Sequence, residues 1–310
     1  MNIYTHPLFY EHDTGSGHPE SARRIDAALS GVERAGLGSR VVRNPEPHLE
    51  TTRIIIKTHD QSYERQLDEA CRSGLRLFHS VDNPISTQSY AAARAAVATS
   101  LTAADEMLST NERAFVIARP PGHHAERVEA MGFCFFNTVA CVAEWLREQP
   151  GIERVFIFDF DVHHGNGTQA LFADRDDVYY ASIHRFPFYP GTGAKSEIGT
   201  GRGRGFTKNV PMEAGLGDAS YLRVVEEQIV KAIDDYAPSA ILLSAGFDAH
   251  VRDPLGGMRV TERAYGEITR RVVELANKHS NGRVLSLLEG GYDMEGLTAS
   301  VDEHVRALSA

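Results

Sequence analysis

The stretch from Val155 to Thr168, VFIFDFDVHHGNGT, constrains this chain more than any other. It begins as an apolar run typical of a buried parallel strand and turns polar within a few residues. Because side chains at i and i+2 of an extended chain point to the same side, Asp159, Asp161 and His163 share one face at the strand end. A helix N-cap followed by a polar turn would explain one Asp, but not two Asp and two His within six residues. Carboxylates and an imidazole that converge in this way predict a divalent-metal site.

The rest of the chain alternates apolar runs with amphipathic helices, which predicts an α/β fold. Strands are predicted at residues 3–5, 114–118, 155–158, 178–183, 240–244 and 284–288, and helices at 89–108, 138–146, 168–172, 221–236, 261–278 and 297–308. Another helix is expected to open at Pro19, and residues 71–84 are expected to be irregular. Strands that alternate with helices form parallel sheets covered on both faces. Since no repeat, low-complexity tract or linker interrupts the pattern, we expect one domain over residues 1–310.

Each predicted strand runs into a polar turn, and these turns are where chemistry is expected. In open α/β sheets, ligands bind beyond the carboxyl ends of the strands. Asp248 lies in such a turn, after the apolar run at 240–244. A catalytic zinc site keeps three protein ligands and an open position, and Asp161, His163 and Asp248 form a trio of this kind. The alternative for Asp248 is an ordinary loop aspartate.

Two more turns offer groups for proton transfer and charge stabilisation. His123 and His124 follow a rigid Pro-Pro-Gly turn, and imidazole is the side chain best suited to take a proton from water near neutral pH. The alternative is that one of the two histidines is buried in the core with its hydrogen bonds satisfied and that the other is exposed. Asp159 and Asn166 could orient these imidazoles. In the turn Glu289-Gly290-Gly291-Tyr292, the glycines permit a close backbone approach and the tyrosine hydroxyl could donate to an oxyanion.

Composition excludes several other classes of function. The chain has 310 residues and a formal net charge of −10, which argues against a general affinity for nucleic acid or anionic membranes. Its three cysteines, Cys71, Cys134 and Cys141, form neither a disulfide framework nor a C-x-x-C metal site, and they suit a reducing compartment. No apolar run approaches the roughly 18 residues of a membrane span, and no signal-peptide pattern is present. We therefore expect a cytoplasmic protein, whose oligomeric state the sequence leaves open.

Together these motifs resemble the zinc-dependent histone deacetylase family, in its bacterial class II-like and acetoin-utilisation-like branch. The matching segments run through most of the chain: His18-Pro19-Glu20 with Arg24, Arg119 to His124, Gly132 to Asn137, Asp159 to Gly167, Tyr189 to Gly193, Ser244 to Asp248, Asp253 to Gly256, and Glu289 to Tyr292. The combination is highly specific. The resemblance implies an arginase-like α/β fold, a single domain with a mostly parallel eight-stranded sheet between helices.

The resemblance also implies roles for the catalytic residues. The metal trio named above would hold one zinc ion per chain. The histidine pair would act as general acid and base, supported by Asp159 and Asn166, and Tyr292 would polarise the acetyl carbonyl. Members of the family also bind potassium near the zinc, which implies a structural K⁺ at the Asp159 carboxylate and the carbonyl oxygens of Asp161, His163 and Ser182.

For the substrate, the resemblance implies a narrow apolar tunnel that admits a lysine-like chain. Phe133 and Tyr189 would form its walls, and Asp82 would hold the substrate backbone at the rim. The full set of implied substrate-binding residues is Asp82, Gly132, Phe133, Tyr189, Leu255 and Gly290.

The chain departs from the family pattern at two positions. Class I members of the family carry Asp at the position of Asn166, whereas class II members resemble this chain there. The change from Asp to Asn should make the partnered imidazole less basic. Tyr189 stands where a wall phenylalanine is usual, which could add a hydrogen bond and leaves the acyl-chain preference open. In addition, polyamine-selective members carry Glu at the variable position of the Asp-Pro-x-Gly turn, where this chain has Leu255. The leucine favours a peptide substrate, unless it is a loop packing residue without influence on selectivity.

The sequence thus predicts an amidohydrolase that removes acetyl groups from lysine side chains of proteins or peptides. Deacetylation of acetylpolyamines or of another small acetyl-amide is the alternative. A binuclear manganese hydrolase of the arginase type shares the expected fold, but it needs further Asp residues around two metals. The alternative outside the enzymes is a silent module that binds acylated ligands, and the presence of every expected catalytic residue argues against it.

Overall fold

Eight parallel strands form the central sheet of the computed structural model, which describes residues 1–310. In spatial order they are β2 (Val41–Arg43), β1 (Asn2–Thr5), β5 (Ala114–Val116), β10 (Val284–Leu288), β9 (Ala240–Ala245), β6 (Val155–Asp159), β7 (Val178–Arg185) and β8 (Thr207–Met212). Every neighbouring pair is parallel, so all the carboxyl ends meet at one edge of the sheet. The predicted α/β fold is confirmed, and the sheet is entirely parallel where the sequence predicts a mostly parallel one.

Helices flank the sheet in two layers. They are α1 (Leu8–Glu11), α2 (Arg23–Arg34), α3 (Thr51–Thr58), α4 (Gln61–Arg72), α5 (Ser89–Thr110), α6 (Thr138–Leu146), α7 (Asn166–Phe172), α8 (Asp218–Val224), α9 (Lys231–Tyr236), α10 (Glu262–His279) and α11 (Met294–Ser309). A π-helical segment, Val225–Val230, joins α8 to α9. Helix α11 packs against α2 and α10, whereas α3, α5 and α6 pack against one another. No helix is both long enough and apolar enough to cross a membrane.

The central strands are buried along their whole length. Every residue of β6, β9 and β10 is buried, which explains why these strands read as continuous apolar runs rather than as alternating patterns. The buried apolar side chains form one cluster of 83 residues, so the chain has a single core. In the ladder, Asp159 pairs with Ser244 of β9 on one side and with Ser182 of β7 on the other. The polar residues that end β6 therefore lie at the centre of the sheet edge.

Two predicted elements differ from the structure at the amino-terminal side. Helix α2 begins at Arg23 and not at Pro19, because the Glu20 carboxylate turns inward and accepts from Arg119 Nε at 2.7 Å, which holds this stretch as a loop. Residues 71–84, predicted to be irregular, contain a hairpin of β3 (Leu77–Phe78) and β4 (Ser80–Pro84). Its reversal places His79 at a φ of 64°, a conformation usually taken by Gly or Asn, so no hairpin signal is visible in the sequence.

Strand β8 is also missing from the elements that the sequence predicts. It contains Pro211, which argues against a central strand. The structure places β8 at the edge of the sheet, where a missing N–H on the outer side costs no ladder bond.

Candidate active site

Three side chains that can bind a metal meet where β6 and β9 end. Asp161 and His163 follow β6, and Asp248 follows β9, its neighbour in the sheet. The donor atoms of the three side chains lie within 4.8 Å of one another. His163 Nδ1 is 3.0 Å from Asp161 Oδ1 and 3.0 Å from Asp248 Oδ2. The parallel register thus brings together the trio that the sequence predicts.

The two carboxylates of this cluster are oriented by backbone N–H groups. Gly290 N donates to Asp161 Oδ2 at 2.8 Å, and Val162 N donates to Asp248 Oδ1 at 2.8 Å. Each carboxylate therefore has one oxygen fixed by the backbone and turns the other towards His163. Burial and the negative charge of Asp161 raise the pKa of Asp248, because two buried carboxylates repel each other. Two carboxylates and one imidazole in this arrangement fit a divalent cation such as zinc, which would balance their charge.

The two adjacent histidines have different partners. His123 Nδ1 lies 3.0 Å from Asp159 Oδ2, and His124 Nδ1 lies 2.7 Å from Asn166 Oδ1. Their ring centroids are 4.0 Å apart, and each side chain is 3% exposed. Tyr180 OH donates a second hydrogen bond to Asp159 Oδ2 at 3.1 Å. Both imidazoles are thus fixed at Nδ1 and are available for proton transfer only at Nε2.

These partners give the two imidazoles opposite proton affinities. Burial disfavours the charged form of His123, but the nearby carboxylates of Asp159 and Asp161 outweigh burial and raise its pKa to about 10. Burial and the positive charges of His123 and His163 hold the pKa of His124 well below its usual range. A pair with one charged and one neutral imidazole contains both an acid and a base.

The turn from Glu289 to Tyr292 connects these groups. Glu289 Oε2 accepts from Gly122 N at 2.7 Å and from His123 N at 3.2 Å, which fixes the turn that carries the histidine pair. Arg24 donates to the carbonyl oxygens of Glu289 and Gly291, and its guanidinium lies 5.0 Å from the Tyr292 ring centroid. The sequence predicts a role for Tyr292 but not for Glu289, whose only signal is a carboxylate between an apolar strand and two glycines.

A small cavity opens onto the reactive groups. Its volume is about 130 Å³, and it is lined by Asp82, His124, Gly132, Phe133, His163, Tyr189, Leu255 and Tyr292. The Phe133 and Tyr292 rings are nearly perpendicular at 6.0 Å, and the Tyr189 ring lies 5.3 Å from that of His124. All predicted substrate-binding residues except Gly290 line this cavity, and Gly290 lies instead against the two carboxylates of the metal trio. A larger cavity of about 540 Å³ lies against α5, but shares no residue with this one.

Comparison with known proteins identifies the family of this chain. The family profile described as "Histone deacetylase domain" matches residues 18–308. The chain belongs to the histone deacetylase family. It is 36% identical over 297 residues to a "Probable deacetylase" of Archaeoglobus fulgidus, covering 95% of this chain and 82% of that protein. It is 35% identical over 284 residues to the "Histone deacetylase-like amidohydrolase" of Pseudomonas aeruginosa, covering 89% and 73%.

The structural comparison agrees with the sequence. The crystal structure of the HDA15 HD domain superposes with a TM-score of 0.91 at 31% identity, and the match covers 99% of this chain and 87% of that one. The predicted resemblance and the arginase/deacetylase-like fold are therefore confirmed. The histone deacetylase family comprises zinc-dependent hydrolytic deacetylases and amidohydrolases, so this chain is an amidohydrolase that acts on an acetylated amide.

Proposed function

We propose that this enzyme removes acetyl groups from lysine side chains of proteins or peptides. The observation that carries the proposal is a narrow cavity lined both by apolar walls and by His124, His163 and Tyr292. A slender apolar tunnel suits the methylene chain of lysine and puts its terminal amide beside the reactive groups. Residues 1–310 would act as one catalytic domain. A cytoplasmic location is supported by three buried cysteines that are all free.

We assign the metal site to Asp161, His163 and Asp248, with one zinc ion per chain. A zinc ion bound there would act as a Lewis acid on the acetyl carbonyl and on the attacking water. The contribution of the protein is to fix the three donor atoms, and the hydrogen bonds from Gly290 N and Val162 N to the two carboxylates support this role. A structural K⁺ at Asp159 and the carbonyl oxygens of Asp161, His163 and Ser182 is also proposed, supported by the pairing of Ser182 with Asp159 in the sheet.

The histidine pair would move the protons of the reaction. In this proposal one imidazole takes a proton from the attacking water at Nε2, and an imidazole Nε2–H protonates the leaving amine. The partners of the two rings support a division of labour, because Asp159 favours a charged His123 whereas the amide of Asn166 leaves His124 neutral.

Tyr292 would stabilise the negative charge that develops on the carbonyl oxygen. Its ring borders the cavity, and its position is fixed from three sides. Tyr292 N donates to Asp253 Oδ2 at 2.7 Å, Arg24 lies against the ring, and Phe133 packs on the edge. A hydroxyl held in this way can donate to an oxyanion without a cost of reorganisation at the moment of reaction.

Turnover of a matched substrate panel tests the proposed function. Purified zinc-loaded protein should hydrolyse acetyl-lysine peptides with a higher kcat/KM than acetylspermidine or acetylputrescine. Longer acyl groups on the same peptides define the acyl-chain preference. The metal content should be one ion per chain, whereas a binuclear enzyme of the arginase type would contain two. Turnover of acetylpolyamines alone would contradict the lysine assignment and leave an amidohydrolase of small acetyl-amides.

Loss of one metal ligand provides the first specific prediction. Asp248→Ala removes one of only three protein ligands, so the variant should lose both bound zinc and activity. Metal analysis after dialysis, together with kcat, checks this. A variant protein that keeps a full complement of zinc and full turnover would show that the ligand assignment is wrong.

A further inference from the structure

A second cavity lies at the carboxyl ends of β1 and β2. Its volume is about 540 Å³, within the range of small-molecule sites, and it shares no residue with the cavity of the candidate active site. His6, which directly follows β1, and residues 44–49, which directly follow β2, line one side of it. Helix α5, from Tyr90 to Thr99, lines the other side. The cavity is therefore bounded by two turns at the sheet edge and by one long helix.

The topology of the sheet explains why a crevice forms at this place. Strands β1 and β2 are parallel neighbours. The chain that leaves β1 passes through α1 to α2, in the layer of α11, whereas the chain that leaves β2 enters α3, in the layer of α5 and α6. In open α/β sheets, ligands bind where the connections of neighbouring strands diverge in this way. The candidate active site follows the same rule, because β6 leads to α7, beside α6, and β9 leads to α10, beside α11.

The two ends of this cavity carry opposite charges. At one end, Arg94 Nη2 donates to Thr52 Oγ1 at 2.9 Å. At the other end, Thr102 Oγ1 donates to Glu46 O at 3.0 Å, which holds Glu46 against a later turn of α5. Positions 94 and 102 are roughly 12 Å apart along the helix axis, at about 1.5 Å per residue. The cavity thus runs along α5 from a guanidinium towards a carboxylate.

Both charged groups can still bind a ligand. Glu64 Oε1 lies 3.6 Å from Arg94 Nη1, which is too far for a hydrogen bond, and the Arg94 side chain is 29% exposed. Glu46 is exposed, and its hydrogen bond with Thr102 uses the backbone carbonyl and not the carboxylate. The face of α5 that lines the cavity is apolar at three positions, Ala91, Ala95 and Ala98. A ligand with an aliphatic middle and one charge of each sign at its ends would match these groups.

We propose that this cavity is a second ligand site, which binds a linear zwitterion with an aliphatic middle, of the class of ω-amino carboxylates. The carboxylate of the ligand accepts from Arg94, its ammonium lies against Glu46, and its methylene groups pack on the alanines of α5. The inference is carried by the position of a cavity at diverging strand ends, with opposite charges along one helix. It does not depend on the proposed deacetylase function, because the two cavities share no residue.

The single tryptophan of the chain reports on the occupancy of this cavity. The Trp145 ring centroid lies 5.2 Å from that of His48, which lines the cavity. The zinc-loaded protein is titrated with ω-aminooctanoate, and binding is followed by tryptophan fluorescence and, independently, by isothermal titration calorimetry. We expect saturable binding with a Kd of about 1 mM, as is usual for so small a ligand. Octanoate and octylamine, which each carry one of the two charges, should bind at least about threefold more weakly.

Variants of the two charged residues supply the decisive comparison. Glu46→Gln should weaken the binding of ω-aminooctanoate by about threefold and leave that of octanoate unchanged. Arg94→Gln should weaken both carboxylate probes by about threefold and leave octylamine unchanged. Arg72→Gln is the matched control, because Arg72 forms an exposed ion pair on α4 and does not line the cavity.

A variant that keeps both charges tests the cavity itself. Ala91→Leu narrows the space against α5, so it should weaken the binding of all three probes. This variant and Glu46→Gln keep the test decisive even if the loss of Arg94 disturbs folding. Turnover of an acetyl-lysine peptide should stay at the wild-type value in every folded variant, because none of these residues lines the active-site cavity.

Four outcomes would overturn the inference. No saturable binding by either method would mean that the cavity is not a site for this class of ligand. Equal affinity for the three probes, unaffected by Arg94→Gln and Glu46→Gln, would show an apolar cleft that does not recognise charge. Binding that persists in Ala91→Leu, together with competitive inhibition of turnover, would place the probes in the candidate active site. Self-association that Ala91→Leu abolishes, without any binding of the probes, would make the cavity an interface between copies of this chain.

Discussion

Gly290 packs directly against the two carboxylates of the metal trio. A Cβ atom on Gly290 would overlap Oδ2 of Asp248 and crowd Oδ2 of Asp161. Gly290→Ala should therefore displace two of the three proposed metal ligands and lower zinc affinity at least about 10-fold, as loss of ligand orientation usually does. Competition for zinc with a chelator measures this, and Gly74→Ala, which introduces backbone strain at a φ of 74° outside the site, is the control for loss of stability alone. Unchanged zinc affinity in Gly290→Ala would contradict the described packing.

The hydroxyl of Tyr292 can be tested without disturbing the metal. Tyr292→Phe keeps the ring that packs on Phe133 and lies against Arg24, so the zinc content should not change. The value of kcat should fall by about 10²–10³, the usual loss for one oxyanion donor. Tyr265→Phe removes another buried hydroxyl, outside the cavity, and should leave kcat intact. A change confined to KM would make Tyr292 only a substrate contact.

Among the strands, those that are fully buried are the easiest to predict from the sequence. Strands β6, β9 and β10 are covered on both faces, so they read as apolar runs and are predicted within one or two residues. Asn83 joins the hairpin of β3 and β4 to a distant segment, because it bonds both to Phe78 and Ser80 within the hairpin and to Ala130 and Phe133. Contacts between residues about 50 positions apart leave no local pattern, and this hairpin could not be predicted.

The turn from Asp253 to Gly256 carries Leu255, the residue that we propose influences substrate choice. Asp253 Oδ1 accepts from Leu255 N at 2.9 Å and Oδ2 accepts from Tyr292 N, so the turn is fixed beside Tyr292. Leu255 lines the cavity and supplies no charge for a distal ammonium. Leu255→Glu should shift the ratio of kcat/KM values towards acetylspermidine by about 1 kcal/mol, because partly exposed ion pairs are weak.

The same substrate panel checks this prediction, with Leu255→Gln as the control for size and polarity without charge. A shift that is equal in the Glu and Gln variants would show that polarity, and not charge, decides selectivity. A wild-type enzyme that already prefers acetylpolyamines would contradict the role of Leu255 but not the amidohydrolase chemistry.

For the whole molecule, the sheet explains which parts of the site the sequence predicts. Asp161, His163 and Asp248 each follow an apolar strand, and parallel strands bring their carboxyl ends to one edge, so their meeting could be inferred. The hydrogen bonds that join one turn to another could not be inferred from the sequence. Glu289 and Gly122 are joined across 167 residues by a carboxylate and a backbone N–H, and Arg24 reaches the turn at Glu289 from 265 residues away. Such contacts depend on the final packing of the sheet against its helices.

Three buried histidines should make the free energy of unfolding depend on pH. His12, His59 and His184 are buried, and burial is the main cause that lowers the pKa of each to about 4. An unfolded histidine has a pKa of about 6.5, so between these values the unfolded chain binds more protons than the folded one. The contribution of each of these three histidines to the free energy of unfolding should therefore fall as the pH decreases through this window, by roughly 2 kcal/mol between about pH 7.5 and about pH 5.

His59 allows one of these contributions to be isolated. His59 Nδ1 lies 2.9 Å from Glu126 O, and its Nε2 accepts from Asn137 N at 2.9 Å, so protonation at Nε2 would break the second bond. A glutamine can keep one donor and one acceptor but does not titrate. Urea unfolding of His59→Gln at the two pH values should show a pH dependence smaller than that of the wild type by roughly 2 kcal/mol, even where the variant is less stable overall. Identical pH dependence in the two proteins would mean that His59 takes no part in the acid response and that other groups cause it.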